Sequence, residues 1–199
     1  MFIQTEDTPN PLSMKFIADR AVLGLDANGR PAIGMDFPNA GTAMVSPLAA
    51  TLFDIDAVSG VFLGPDFVTV TKADGADWAH IKPAVLGAIA DFLTSGIPVI
   101  DAGAKSSHNP ATSPADYEGE DREIVEQIIE LIDTRVRPAV AADGGDIAFQ
   151  HWEPRTGIVF VSLHGSCSGC PSSTMTLKAG IENMLKHYVP EIVRVEAVA

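Results

Sequence analysis

The sequence predicts an α+β protein of two small domains joined by a flexible linker. Three observations carry that expectation. The stretch DAGAKSSHNPATSPADYEGE, residues 101–120, is rich in Ala, Ser, Pro, Gly and Asp and almost free of large apolar residues, as a solvated tether is. On both sides of it, short β-branched and aromatic runs bounded by turn residues stand beside segments of helical periodicity. The chain has 199 residues, 46% of them hydrophobic and 20% charged, enough for two globular halves with thin cores. The predicted division is 1–99, a linker at 100–119, and 120–199.

In the first half, FIQTE and MKFIA are predicted strands separated by a TPNP turn. SPLAATLFD suits a short helix with Ser46 as N-cap and Pro47 at the first helical position. VSGVFLGPDFVTVTK reads as a hairpin turning at Gly64-Pro65-Asp66. Asp77 can cap a second helix, on which Ile81, Val85, Ile89 and Phe92 share one face. Pro83 lies inside that segment, so the helix is expected to begin near it. Ser95-Gly96 with Pro98 beyond should end it.

In the second half, Asp121 can cap a helix through REIVEQIIELIDTRVR, closed by Pro138. DGGD at 143–146 is a turn. IAFQHW and IVFVSL then make an antiparallel hairpin across the turn at 153–157. GSCSGC follows, then Pro171 and a long helix whose Leu177, Ile181, Met184, Leu185 and Tyr188 keep helical spacing. Lys178, Glu182 and Lys186 are expected to face water as i, i+4 partners. EIVRVEAV is a last strand. The order α-β-β-α-β packs as helices on one face of a small sheet.

Composition excludes some roles. The formal net charge is −13, from 26 acidic residues against 13 Lys plus Arg. Such a balance argues against nucleic acid, whose phosphates need clustered cations, and against anionic membrane surfaces. No apolar run approaches the ~20 residues of a membrane span. Glu6 and Asp7 stand where a secretory or transit segment would be basic or apolar. The expectation is a bacterial cytoplasm, with a mitochondrial matrix disfavoured.

The chain has only two cysteines, Cys167 and Cys170, placed where a strand ends and a helix begins. Pro171 fits the first helical position, which puts Cys170 close to the N-cap. Unpaired N–H groups and the positive end of the helix dipole lie there. Both stabilise thiolate, the form that binds metal or attacks a disulfide. Gly165 and Gly169 permit sharp turns, and Ser166, Ser168, Ser172 and Ser173 add small donors. A glycine-flanked loop of this kind argues against cysteines that are merely buried and inert. A thiol–disulfide redox centre, as oxidoreductase or redox sensor, suits the motif locally. Against it, the neighbouring hairpin is antiparallel and no βαβ unit precedes it.

The other option is metal. Zinc and iron–sulfur clusters typically want four protein ligands, and one chain supplies two cysteines. His164 is the only histidine forced to be near and reads as a strand-end imidazole. His80, His108, His151 and His187 are scattered, so no close pair completes a zinc site. A two-fold homodimer would bring two Cys-x-x-Cys loops together and supply four thiolates. These suit a [4Fe–4S] cluster, and would also hold a [2Fe–2S] cluster or zinc. Asp143 and Asp146 could offer oxygen ligands, but a glycine turn explains them better. Trp78 and Trp152 read as packing residues.

LHGSCSGCPSSTMTLKAGIENMLKHYVPEI, with the helix upstream and DGGDI before the hairpin, resembles the C-terminal domain of NifU found in Nfu-type iron–sulfur proteins. FIQTEDTPNPLSMKFI, GTAMVSPLAATLF and VSGVFLG are similar to the Nfu N-terminal domain. The resemblance implies a scaffold or carrier, not an enzyme. It implies a [4Fe–4S] cluster bound between two protomers through Cys167 and Cys170 and delivered to apo iron–sulfur client proteins, with upstream assembly proteins as further partners. The N-terminal half lacks reactive residues and is expected to dock partners.

Overall fold

The computed structural model describes residues 1–26, 29–101, 112–166 and 171–198, and of 171–174 the backbone alone. Five strands form the N-terminal sheet: β1 (Ile3–Asp7), β2 (Ser13–Ala18), β3 (Met35–Phe37), β4 (Val58–Leu63) and β5 (Phe67–Lys72). They run in the order β1-β2-β5-β4-β3, every pair antiparallel. Two helices, α1 (Pro47–Phe53) and α2 (Trp78–Ser95), cover one face. Alternation along each strand sends Met14, Phe16, Val61, Leu63, Val68 and Val70 to that face. There they meet Leu48 and Leu52 of α1 and Ile81, Val85, Ile89 and Phe92 of α2.

The helix ends follow from local chemistry. Ser46 Oγ accepts from Ala49 N–H at 3.1 Å and donates to the Val99 carbonyl at 2.7 Å. Asp77 accepts from Ala79 N–H at 2.9 Å, so α2 begins at Trp78 and not near Pro83. The cap secures the first turn, and Pro83 lies on the exposed side. Gly96, at φ 76°, ends the helix in the left-handed region that favours glycine.

The C-terminal unit holds α3 (Glu120–Leu131), α4 (Arg137–Ala142), β6 (Gly145–Glu153), β7 (Ile158–Gly165), α5 (Pro171–Tyr188) and β8 (Arg194–Val198). Its sheet runs β6-β7-β8. Val125, Ile128 and Ile132 from the first helical run and Ile181 and Leu185 from α5 pack on Ile147, Val159, Val161 and Val195, with Trp152 buried among them. This is the predicted α+β arrangement of helices over a small sheet.

Two local expectations are corrected. The first helix starts at Glu120, and Pro138 does not close it. A π-helical segment, Ile132–Val136, joins α3 to α4. The widened turn absorbs the proline, which lacks an N–H and crowds the preceding turn. Lys178 and Glu182 do not simply face water. Lys178 Nζ bonds Glu196 at 2.7 Å, and Glu182 accepts from both Lys186 at 2.6 Å and the Val195 N–H at 3.0 Å. These contacts tie α5 to the outer strand β8. The last strand, whose direction the sequence left open, runs parallel to β7, so β7, α5 and β8 form a βαβ crossover.

The second face of the five-stranded sheet is where the two units meet. Alternation places Lys15, Asp36, Phe62, Phe67 and Thr69 on it, opposite the helices. Phe62, Phe67 and Thr69 are nonetheless almost fully buried. The turn at 143–146 and the end of β7 cover this face. Thr69 Oγ1 donates to the Gly144 carbonyl at 2.7 Å, Lys15 Nζ to the Ala142 carbonyl at 3.4 Å, and Gly34 N–H to Asp146 Oδ2 at 2.9 Å. Arg30 pairs with Asp133 at 3.7 Å. Removing one phenylalanine from water contributes about 1.5–3 kcal/mol, so Phe62 and Phe67 give this contact an apolar centre.

Gly144 shows how tight the contact is. Its φ is 81°, and a Cβ would stand 2.9 Å from Thr69 Oγ1 and 3.1 Å from Thr8 Cγ2. Gly144→Ala should therefore destabilise the chain by about 1–2 kcal/mol from the left-handed backbone alone, read as a lower urea midpoint.

Candidate functional site

Cys167 and Cys170, with Ser168 and Gly169 between them, lie outside the described residues, but both flanks are described. β7 ends at Gly165, whose φ is 69°. A Cβ here would meet the Gly144 carbonyl oxygen at 2.7 Å and Phe62 Cγ at 2.9 Å. Only glycine can pass this point unstrained. Ser166 follows and is buried. Its N–H donates to the Gly144 carbonyl at 3.3 Å and its hydroxyl to the Asp143 carbonyl. The DGGD turn thus anchors the strand end from which the cysteine segment departs.

On the other flank α5 begins at Pro171, as predicted, and runs for 18 residues with no acidic side chain in its first turn. Nothing in that turn offsets the positive end of the helix dipole, so the position next to Cys170 favours negative charge. This electrostatic setting suits thiolate or sulfide.

The other predicted residues fall as follows. His164 Nε2 is 2.9 Å from Ser162 Oγ, consistent with a strand-end imidazole. His151 meets Tyr117, His187 stacks edge-on against Tyr188, and His80 is exposed near Asp77. His108 lies outside the described residues. Among the described residues no three metal-ligating side chains converge. Asp146 is engaged by the Arg137 guanidinium at 2.9 and 3.0 Å, by Gly34 N–H and by Ile147 N–H at 2.7 Å. With those donors in place it has a structural task.

The crossover formed by β7, α5 and β8 bears on the redox option. The hairpin before the Cys-x-x-Cys segment is antiparallel, as expected, but in sequence the segment falls between the strand and the helix of a βαβ unit, which weakens the topological argument against a thiol–disulfide centre.

Sequence reasoning missed the residues that approach from the N-terminal unit. Asp36 of β3 accepts a hydrogen bond from the Gly165 backbone N–H, two residues before Cys167. Burial pushes its carboxyl up to about 6, and the bond from Gly165 offsets only part of that. Phe62 fills the space between Gly34 and Gly165, neither of which has room for a Cβ on its side. One signal was available: Phe62 and Phe67 are large apolar residues on the strand face opposite the helix-covered core.

The Asp36 shift gives a pH dependence. An ordinary carboxyl near 3.8 is raised to about 6 in the folded contact. The folded form therefore holds the proton more tightly, and its advantage declines as pH rises from about 4 to about 6. Asp36→Asn carries no such penalty. Its stability relative to wild type should rise over that window and level off above it, as followed by thermal melts at stepped pH.

Residues 3–96 match the family model described as the scaffold protein Nfu/NifU N terminal, and residues 128–196 match the NifU-like domain. A Drosophila sechellia protein named NFU1 iron-sulfur cluster scaffold homolog, mitochondrial, is 49% identical over 200 residues, covering 100% of this chain and 65% of that protein. From Arabidopsis thaliana, NifU-like protein 4, mitochondrial, is 47% identical over 98% of this chain and 65% of its own length. NifU-like protein 5, mitochondrial, is 46% identical over 98% of this chain and 67% of its own length. The chain spans about 65% of the length of the first two relatives. All three are named mitochondrial, which overturns the expectation of a bacterial cytoplasm. Glu6 and Asp7 were weak grounds for it, because this chain spans only about 65% of the length of those relatives. Both halves match one family, and the shared identity runs through nearly all 199 residues: the chain belongs to the Nfu/NifU scaffold protein family.

Proposed function

We propose that this chain is an iron–sulfur cluster scaffold and carrier. Two copies hold one [4Fe–4S] cluster through Cys167 and Cys170 of each and pass it to apo-proteins. The observation that carries the reading is that the chain's only two cysteines fall inside the matched NifU-like domain. Two thiols per chain are half of a four-thiolate cluster site, and an isologous dimer supplies the rest. The uncompensated start of α5 beside Cys170 suits soft anionic sulfur. A ligand set split between protomers also suits release, since separating the copies opens the site.

The relatives named iron-sulfur cluster scaffold homologs support a carrier and not an enzyme. The βαβ setting of the cysteine pair is what favours the competing thiol–disulfide reading.

Anaerobic reconstitution with iron and sulfide should give about four iron atoms per two chains, dimeric by sizing, with the Mössbauer signature of a [4Fe–4S] centre. A monomer holding one stable zinc would sink the reading. Cys167→Ala and Cys170→Ala should each abolish loading and leave the melting curve nearly unchanged; a full cluster in either variant would remove that residue from the ligand set. The loaded dimer should activate an apo [4Fe–4S] enzyme. Catalytic insulin reduction by the apo chain, without such activation, would favour the thiol–disulfide reading.

A further inference from the structure

The N-terminal unit reaches the cysteine segment's anchor from three directions. Asp36 accepts from the Gly165 N–H. The Phe62 ring lies against Gly165, which could not accept a Cβ within 2.9 Å of it. Thr69 Oγ1 holds the Gly144 carbonyl at 2.7 Å, the same carbonyl that receives the Ser166 N–H at 3.3 Å. Residues 165 and 166 immediately precede Cys167. Each of these groups lies on the sheet face opposite α1 and α2, so none is needed for the N-terminal unit's own core.

We propose that the N-terminal unit is an intramolecular clamp on the strand end that launches the cysteine segment, with Asp36, Phe62 and Thr69 as its positioning residues. The clamp fixes where the backbone leaves Gly165 and Ser166, and so sets how available the two thiols are. This rests on the reading of Cys167 and Cys170 as cluster ligands. It gives the N-terminal unit a task at the site, performed without any ligand of its own. The energetic basis is a buried aromatic ring, a buried hydroxyl–carbonyl bond and a backbone N–H held by a carboxylate. Loss of any one loosens the anchor without emptying either hydrophobic core.

The test uses the full apo chain, reduced, with iodoacetamide as the probe and mass spectrometry to follow Cys167 and Cys170. Thr69→Val removes the bond to Gly144 and keeps the side-chain shape. Asp36→Ala removes the acceptor for Gly165, whereas Asp36→Asn retains an acceptor without the charge. Thr69→Val and Asp36→Ala should each change the alkylation rate by about threefold or more, with Asp36→Asn close to wild type. Amide exchange at Gly165 and Ser166 should accelerate in the same two variants. Cooperative melting of each protein confirms that it is folded, and Thr69→Val is the arm least able to disturb folding.

Wild-type alkylation and exchange in both Thr69→Val and Asp36→Ala would overturn the clamp. So would a silent Thr69→Val together with an Asp36→Asn that behaves like Asp36→Ala, since that pattern reports charge alone. In reconstituted protein, the visible absorption of the cluster should decay faster under chelator in Thr69→Val and Asp36→Ala and be restored in Asp36→Asn. A wild-type chain that takes up no cluster would refute the proposed function and leave the alkylation comparison standing. Unchanged alkylation in a chain that does take up cluster would refute the clamp alone.

Discussion

A carboxylate with 8% of its side chain exposed stands at the centre of this molecule. Burying such a charge costs several kcal/mol unless its oxygens are met by donors. Asp146 meets that demand with donors from separate parts of the chain: the Arg137 fork, the next backbone N–H, and Gly34 from the N-terminal unit. The pair itself is poor evidence of net stability. Its importance is geometric, because every donor must be in place or the charge is stranded. Arg137 also reaches the Ala32 carbonyl at 3.4 Å and Asp133 at 3.4 Å, and Asp133 in turn faces Arg30. The start of α4, the first residues of β6 and the 30–34 loop are therefore mutually dependent.

That convergence explains the π-helical segment before Arg137. Inserting one extra residue per hydrogen-bonded ring turns the following residues relative to a regular helix. It delivers Arg137 to Asp146 while Ile132 and Val136 remain in the core. The turn that begins β6 is then fixed, and with it the Gly144 carbonyl, which receives both Thr69 and Ser166. The site's backbone is thus set by polar contacts at the edge of two cores and not by either core alone.

The parts legible in the sequence were those with local causes. Ser46-Pro47, Asp77 and Gly96 set helix ends within a few residues, and Gly64-Pro65-Asp66 set a hairpin. The cysteine pair announced itself through chemistry. β3 escaped notice because three residues carry no pattern. The continuation through Pro138 escaped because the breaker rule assumes a regular helix. The direction of β8 depends on the crossover of α5, which no local signal encodes. Gly34 and Asp146 are 112 positions apart, so their meeting could not be read from either neighbourhood. Asp36 looks like an ordinary strand acid until Gly165 is placed against it.

Both ends of the connecting segment are pinned. The Asp101 N–H bonds the Val45 carbonyl at 3.0 Å on one unit, and the Thr112 N–H bonds the Gln150 carbonyl at 2.9 Å on the other. Short connections of this kind hold two surfaces at an effective concentration on the order of millimolar. An interface too weak to unite separate molecules therefore stays mostly closed within one chain. The same arithmetic makes the contact easy to exchange: a second molecule offering an identical surface at comparable local concentration can trade places with the tethered one at little net cost. The tether adds its effective concentration to what the Phe62 and Phe67 contact and its hydrogen bonds already contribute.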